Sequence, residues 1–204
     1  MKRITFLSFC ILVSLLIAAA TPAAHLPIPV TGAASTAVEA GVEAAPRGLP
    51  TRISDRGVFS LQIVQQPTDD PGFVSRKDGT VTQFRLASDY GSKGFLAHND
   101  LAGAEFFDVQ VDDVITVTYS NGTSQTYGVT QIRHLQAVSP LSAWSKFLDL
   151  DNASALLTAV DLFYQTYGEK GKLILQTCIA NGDEQSWGRL FIIAEPVTIV
   201  PNSQ

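Results

Sequence analysis

The sequence predicts a mainly β protein, a closed or nearly closed β-barrel of short strands with a helix packed outside it. Short β-prone runs recur between turn residues from Val58 onward. The step Asn121-Gly122 separates two of these runs as a tight hairpin turn would. One late segment alone places apolar residues at helical spacing. Many short strands with one helical insertion fit a barrel better than an open α/β sheet.

Taken in order, Val58 to Gln65 is rich in apolar and β-prone residues, and Thr80 to Leu86 sets Val81, Phe84 and Leu86 along a half-buried strand. Gly94 to His98 is a short apolar run closed by Asn99-Asp100. Val114 to Tyr119 ends at Ser120-Asn121-Gly122, and Ser124 to Ile132 returns as its hairpin partner. Leu156, Leu157, Val160, Phe163, Tyr164 and Tyr167 then follow helical spacing, with Asp151-Asn152 as the expected N-cap and Gly168 as the stop. Trp144, Phe147 and Leu148 suggest a shorter helix before it, and capping explains the Asp149-to-Asn152 cluster better than a cation site does. Lys172 to Cys178 and Arg189 to Ala194 form a last pair of strands around a polar loop.

The ends have a different composition. Lys2 and Arg3 precede an uncharged run from Ile4 to Ala20 and then small residues, the plan of an export signal. The run is also nearly long enough to span a bilayer, so a retained anchor fits as well as a cleaved signal. Residues 1–23 are therefore assigned as signal peptide or N-terminal membrane anchor, 24–56 as a flexible Ala/Pro/Gly-rich stalk, and 57–204 as the folded domain. The protein is expected outside the cytoplasm, secreted or held on the outer face of the membrane. A net charge of −5, with no cluster of Lys and Arg, excludes a phosphate-binding face and hence a nucleic-acid partner. No His/Cys cluster has metal-ligand spacing, and no cofactor is expected; a need for calcium is not legible.

Of two cysteines, Cys10 lies in the export run, which leaves Cys178 and no internal disulfide framework. By itself such a cysteine reads more readily as a small buried apolar residue than as a reactive one. Its neighbourhood sharpens the question. If the last two strands pair as a hairpin, a ten-residue loop joins Cys178 to Arg189, and the two side chains face each other about 5 Å apart. A guanidinium there favours the thiolate and can donate to an oxyanion. A cysteine nucleophile also needs a proton carrier. His25 lies in the stalk and His134 reads as a solvated residue at a strand end, whereas His98 ends a strand where a barrel rim would be.

These segments resemble the sortases of bacterial cell surfaces. Leu96-Ala-His98-Asn, followed by Phe106 and the run Asp113-Val-Ile-Thr-Val, is similar to the sortase His motif. Leu173-Ile-Leu-Gln-Thr177-Cys178 is similar to the Thr-Leu-x-Thr-Cys strand, and Gly188-Arg189-Leu-Phe-Ile-Ile-Ala194 to the Arg strand. Ala97 and Asp112 stand where the family commonly has glycine, and the insertion between Leu141 and Gly168 is longer than in many members. The resemblance covers roughly Val58 to Pro196 and implies a sortase-like barrel with His98, Cys178 and Arg189 as catalytic residues and Thr177 in the substrate pocket. It implies a cysteine transpeptidase acting on proteins that bear a Leu-Pro-x-Thr-Gly-type sorting signal, through a thioester, with an amine of peptidoglycan or pilin type as acceptor. The long insertion is expected to cover or reshape the substrate groove. The alternative is a non-catalytic sortase-fold module or another secreted β-barrel binding module.

Overall fold

The structure, a computed structural model, describes residues 48–152 and 155–197. The export segment with Cys10, and the stalk up to residue 47 with His25, lie outside the described residues. Among the described residues no helix is long and apolar enough to cross a membrane.

Eight strands close into a ring. β1 (Pro50–Asp55) pairs with β2 (Phe59–Gln65), which runs parallel to β3 (Thr80–Phe84); β3 pairs with β4 (Lys93–Leu96). β5 (Val114–Tyr119) lies on the other side of β1 and pairs with β6 (Ser124–Ala137). The late strands β9 (Leu173–Asn181) and β10 (Glu184–Pro196) complete the circuit: β4 runs parallel to β9, β9 pairs with β10, and β10 pairs back onto β6. The fold is thus a mainly β closed barrel, as the strand pattern predicts. Two short strands, β7 (Phe147–Asp149) and β8 (Leu156–Leu157), extend the sheet from the far part of β6.

Side-chain alternation divides the apolar residues into two layers. Ile53, Phe95, Ile115, Tyr127, Leu175 and Ile192 fill the barrel. Leu96, Leu135, Phe147, Ile174 and Phe191 face outward, beneath α2 (Ala159–Tyr167), which adds Leu162 and Tyr167. Successive residues of a strand point to opposite faces, so a strand covered on both sides is apolar throughout. That is why Leu173 to Cys178 is buried without a break.

Several expectations are corrected. The stalk does not reach residue 56, because β1 belongs to the barrel: Ile53 is 0% exposed between Leu61 and Val117. A single core residue in Pro50–Asp55 leaves almost no local pattern, and partners on both sides supply the order. The run through Leu86 turns at Phe84 into a short helix, α1 (Arg85–Asp89). No helix contains Trp144, Phe147 and Leu148: Ser139, Ser142 and Ser145 build turns, and Phe147-Leu148-Asp149 alternates as strand β7.

The N-cap of α2 is Thr158, not Asp151-Asn152. Thr158 accepts from the Asp161 amide, while Asp161 accepts from the Thr158 backbone and hydroxyl, a capping box worth about 1 kcal/mol. Gly168 does close the helix. The acidic cluster instead caps a turn, with Asp149 Oδ1 accepting from the amides of Asp151 and Asn152. His134 lies inside β6 rather than at a strand end, its Nδ1 3.5 Å from Asp151.

Candidate functional site

The three catalytic candidates come from three adjacent strands, and backbone register aligns them. Lys93 to Leu96 pair in parallel with Leu173 to Gln176. The Ala97 amide continues the ladder, donating to the Gln176 carbonyl at 3.1 Å. Extending this register by two residues brings His98 level with Cys178. On the other edge of β9, Cys178 is the direct antiparallel partner of Arg189. Cys178 and Arg189 are thus paired across β9 and β10, and His98 lies two residues beyond the end of β4.

Alternation also places them on one face. Ile174, two turns of the pleat before Cys178, packs in the outer layer, and the intervening Gln176 accepts from the Tyr167 hydroxyl of α2 at 2.7 Å. Arg189 lies with its guanidinium 5.9 Å from the centre of the Phe147 ring. His98 follows Leu96, an outer-layer residue, and its Nε2 lies 3.3 Å from the carbonyl of Val74, which packs on the same layer.

The expected ten-residue loop is much shorter. The strands continue to Asn181 and resume at Glu184, leaving a turn at Gly182 (φ 58°), where a glycine takes the left-handed conformation without cost. A register shift between Glu184 and Gly188 absorbs the remaining residues as a bulge. That bulge holds Arg189, whose Nη1 donates to the carbonyls of Ser186 at 2.9 Å and Gly188 at 2.7 Å. Ser186 had no signal in the sequence, because its carbonyl, not its side chain, does this.

Burial sets the electrostatics. His98, Cys178 and Arg189 are 9%, 3% and 6% exposed. Burial pushes the His98 imidazole below its ordinary value, which favours its neutral form. The exposed Arg76–Asp100 ion pair, 2.7 Å, borders it.

Thr177 faces the other way. It is 1% exposed, and its hydroxyl donates to the Ala97 carbonyl at 3.0 Å, on the face opposite Cys178. The structure places it as a tie between β9 and the backbone just before His98, not as a lining of the face that carries the cysteine. Gly103 completes this tie. Its amide donates to the His98 carbonyl at 2.9 Å, and a Cβ there would overlap the Thr177 hydroxyl and the His98 carbonyl. Gly103 escapes sequence inspection because the contact spans the fold.

The long insertion covers the outer layer. A cavity of about 50 Å³ remains between it and the sheet, lined by Ala143, Phe147, Leu162, Gln176, Arg189 and Phe191. Arg133 of β6 and Asp149 of β7 pin the insertion with a buried 2.8 Å ion pair.

No protein-family model matches the chain, and no curated protein matches it. Solved structures do. The chain is similar to sortase C1 from Streptococcus agalactiae, at 17% identity over 74% of this chain and 68% of that one, TM-score 0.45. A lid mutant of sortase A from Corynebacterium diphtheriae matches at 18% identity over 79% and 77%, TM-score 0.48. Sortase A from Listeria monocytogenes matches at 13% identity over 74% and 89%, TM-score 0.46.

Proposed function

We propose that this protein is a cysteine acyltransferase of the sortase type. One observation supports the proposal: Cys178 on β9 is the direct partner of Arg189 on β10, and His98 follows the end of β4, which runs parallel to β9, by two residues. In the proposed reaction the Cys178 thiol passes its proton to neutral His98. The thiolate attacks the carbonyl carbon of a Thr-Gly bond in a Leu-Pro-x-Thr-Gly-type signal. Arg189 donates to the oxyanion, the C–N bond breaks, and His98 returns the proton to the leaving amine. An incoming amine, of peptidoglycan or pilin type, then attacks the thioester and gives a proton to His98; the C–S bond breaks, the thiolate leaves, and His98 returns the proton to it. Covalent catalysis of this kind divides one difficult step into two. The proposed location is the outer cell surface, with the N-terminal segment as signal or anchor. The roles of Thr177 and Gly103 are to position the backbone beside His98.

A second reading is favoured by the deep burial of Cys178: the same fold acting as a binding module without turnover. Mass spectrometry of residues 24–204, incubated with a panel of sorting-signal peptides with and without an amine acceptor, separates the two. An acyl adduct on Cys178 that Cys178→Ala abolishes supports the enzyme. A thiol that resists both peptide and alkylating reagent until unfolding supports the module.

A further inference from the structure

His98 stands just beyond the end of β4, and its ring has a partner of its own: Nε2 lies 3.3 Å from the backbone carbonyl of Val74. A carbonyl oxygen has no proton to give, so the ring nitrogen that bonds it does so as N–H. In the neutral ring the other nitrogen, Nδ1, then carries the lone pair. A general base is commonly oriented by a third group, for which a carboxylate is one choice. Here the neighbouring carboxylate, Asp100, is engaged with Arg76 at 2.7 Å, and a main-chain carbonyl takes that place.

That carbonyl is aimed from β3. The amide of Ser75 donates to the Thr82 hydroxyl at 2.8 Å. The Val74 carbonyl and the Ser75 amide belong to one trans peptide unit, a rigid plane whose C=O and N–H point in opposite directions. Fixing the N–H on Thr82 therefore directs the C=O toward His98. Thr82 is 0% exposed and is the direct partner of Leu96, two residues before His98, so the rung that leads to the histidine also bears the anchor. Thr80 secures the rest of the turn, its hydroxyl donating to the Lys77 carbonyl at 2.6 Å and lying 3.0 Å from Ser75 Oγ.

We propose that the Val74–Ser75 peptide, anchored by Thr82, holds His98 as its Nε2–H tautomer, so that protons enter and leave the ring through Nδ1. Thr82 is thus a positioning residue for the histidine. Its role rests on the acyl-transfer reading: Nδ1 takes the Cys178 proton and passes it to the leaving amine, while the Nε2–H stays on Val74 throughout. A carbonyl accepts more strongly from an imidazolium than from a neutral ring, so the bond tightens as the cation forms. Neither residue carries a motif signal, because Val74 acts by its main chain and Thr82 through an amide seven residues away.

The test is long-range ¹H–¹⁵N NMR of the ¹⁵N-histidine-labelled protein at about pH 8, where an ordinary imidazole is neutral. The His98 signals are identified by their loss in His98→Asn. Nε2 is expected at the shift of a protonated nitrogen and Nδ1 at that of a bare one, with the Nε2–H proton slow enough in exchange to be seen directly. Thr82→Val should speed that exchange by about tenfold or more, as loss of one buried hydrogen bond implies. It should also slow adduct formation on Cys178 by about tenfold or more, and Thr82→Ser, which keeps the hydroxyl, should restore both. The wild-type spectrum decides the tautomer by itself, should Thr82→Val lose its spectral dispersion. A bare Nε2 in the wild type, a Nε2–H that exchanges too fast to be seen, or unchanged exchange in folded Thr82→Val would overturn the proposal. The tautomer is read without turnover, so the expected spectrum with no adduct from any peptide would overturn the acyl-transfer reading instead.

Discussion

Asp55 carries a stability consequence whose sign and size follow from its surroundings. Burial, then the Asp113 charge, raise its carboxyl from 3.8 to about 6. A raised value means the folded state holds the proton more tightly than the unfolded chain does. Stability from this group is therefore full below about pH 3.8, falls as pH rises, and is lost once pH passes about 6. The shift of about 2 units corresponds to about 3 kcal/mol. Asp55→Asn removes the titration but keeps the shape. Urea unfolding of both proteins at about pH 4.5 and about pH 7.5, at one ionic strength, isolates the effect, since other carboxylates titrate alike in both. The variant should gain about 2 kcal/mol relative to wild type between the two pH values, because part of the wild-type loss has already occurred at the lower one. A difference between the proteins that does not change with pH would refute the assignment of Asp55 as a buried, charge-destabilised carboxyl.

Other outcomes follow from the site and its supports. Asp149→Ala leaves the Arg133 guanidinium buried without its partner, and should cost about 3–5 kcal/mol in urea unfolding. Gly103→Ala forces a methyl against the Thr177 hydroxyl and the His98 carbonyl; a loss of about 1–3 kcal/mol is expected, together with slower acylation of Cys178 in the peptide assay. Arg189→Lys keeps the charge but loses the planar fork that two carbonyls now hold, so adduct formation should slow by about 10²–10³. A near-wild-type rate would remove Arg189 from the oxyanion role.

The parts legible in the sequence are those encoded by neighbours along the chain. Asn121-Gly122 announces its hairpin, and Gly122 takes the left-handed φ of 84° that such a turn requires. Cys178 and Arg189 face each other because one short hairpin joins them, and the hydrophobic pattern on both strands sets their register. The stop of α2 at Gly168 is equally local.

His98 belongs to another class. Only the parallel pairing of β4 with β9 carries the chain toward Cys178 before His98, and no local propensity specifies that pairing. The motif resemblance named the residue; the register supplies the physical reason. β1 and β7 leave little local signal for the same cause, since each contributes few apolar residues and is held as a strand by partners distant in sequence. The orientation of Thr177 was also a tertiary matter. Period-2 alternation dictates that adjacent residues part company, so Thr177 and Cys178 cannot share a face, but which of them faces α2 and β7 depends on where those elements pack. The sequence by itself determined the turns, the alternation and the local pairing of cysteine with arginine. Closure of the barrel decided the rest, because ring pairing and the burial of Asp55 arise from contacts that exist only once distant strands have met.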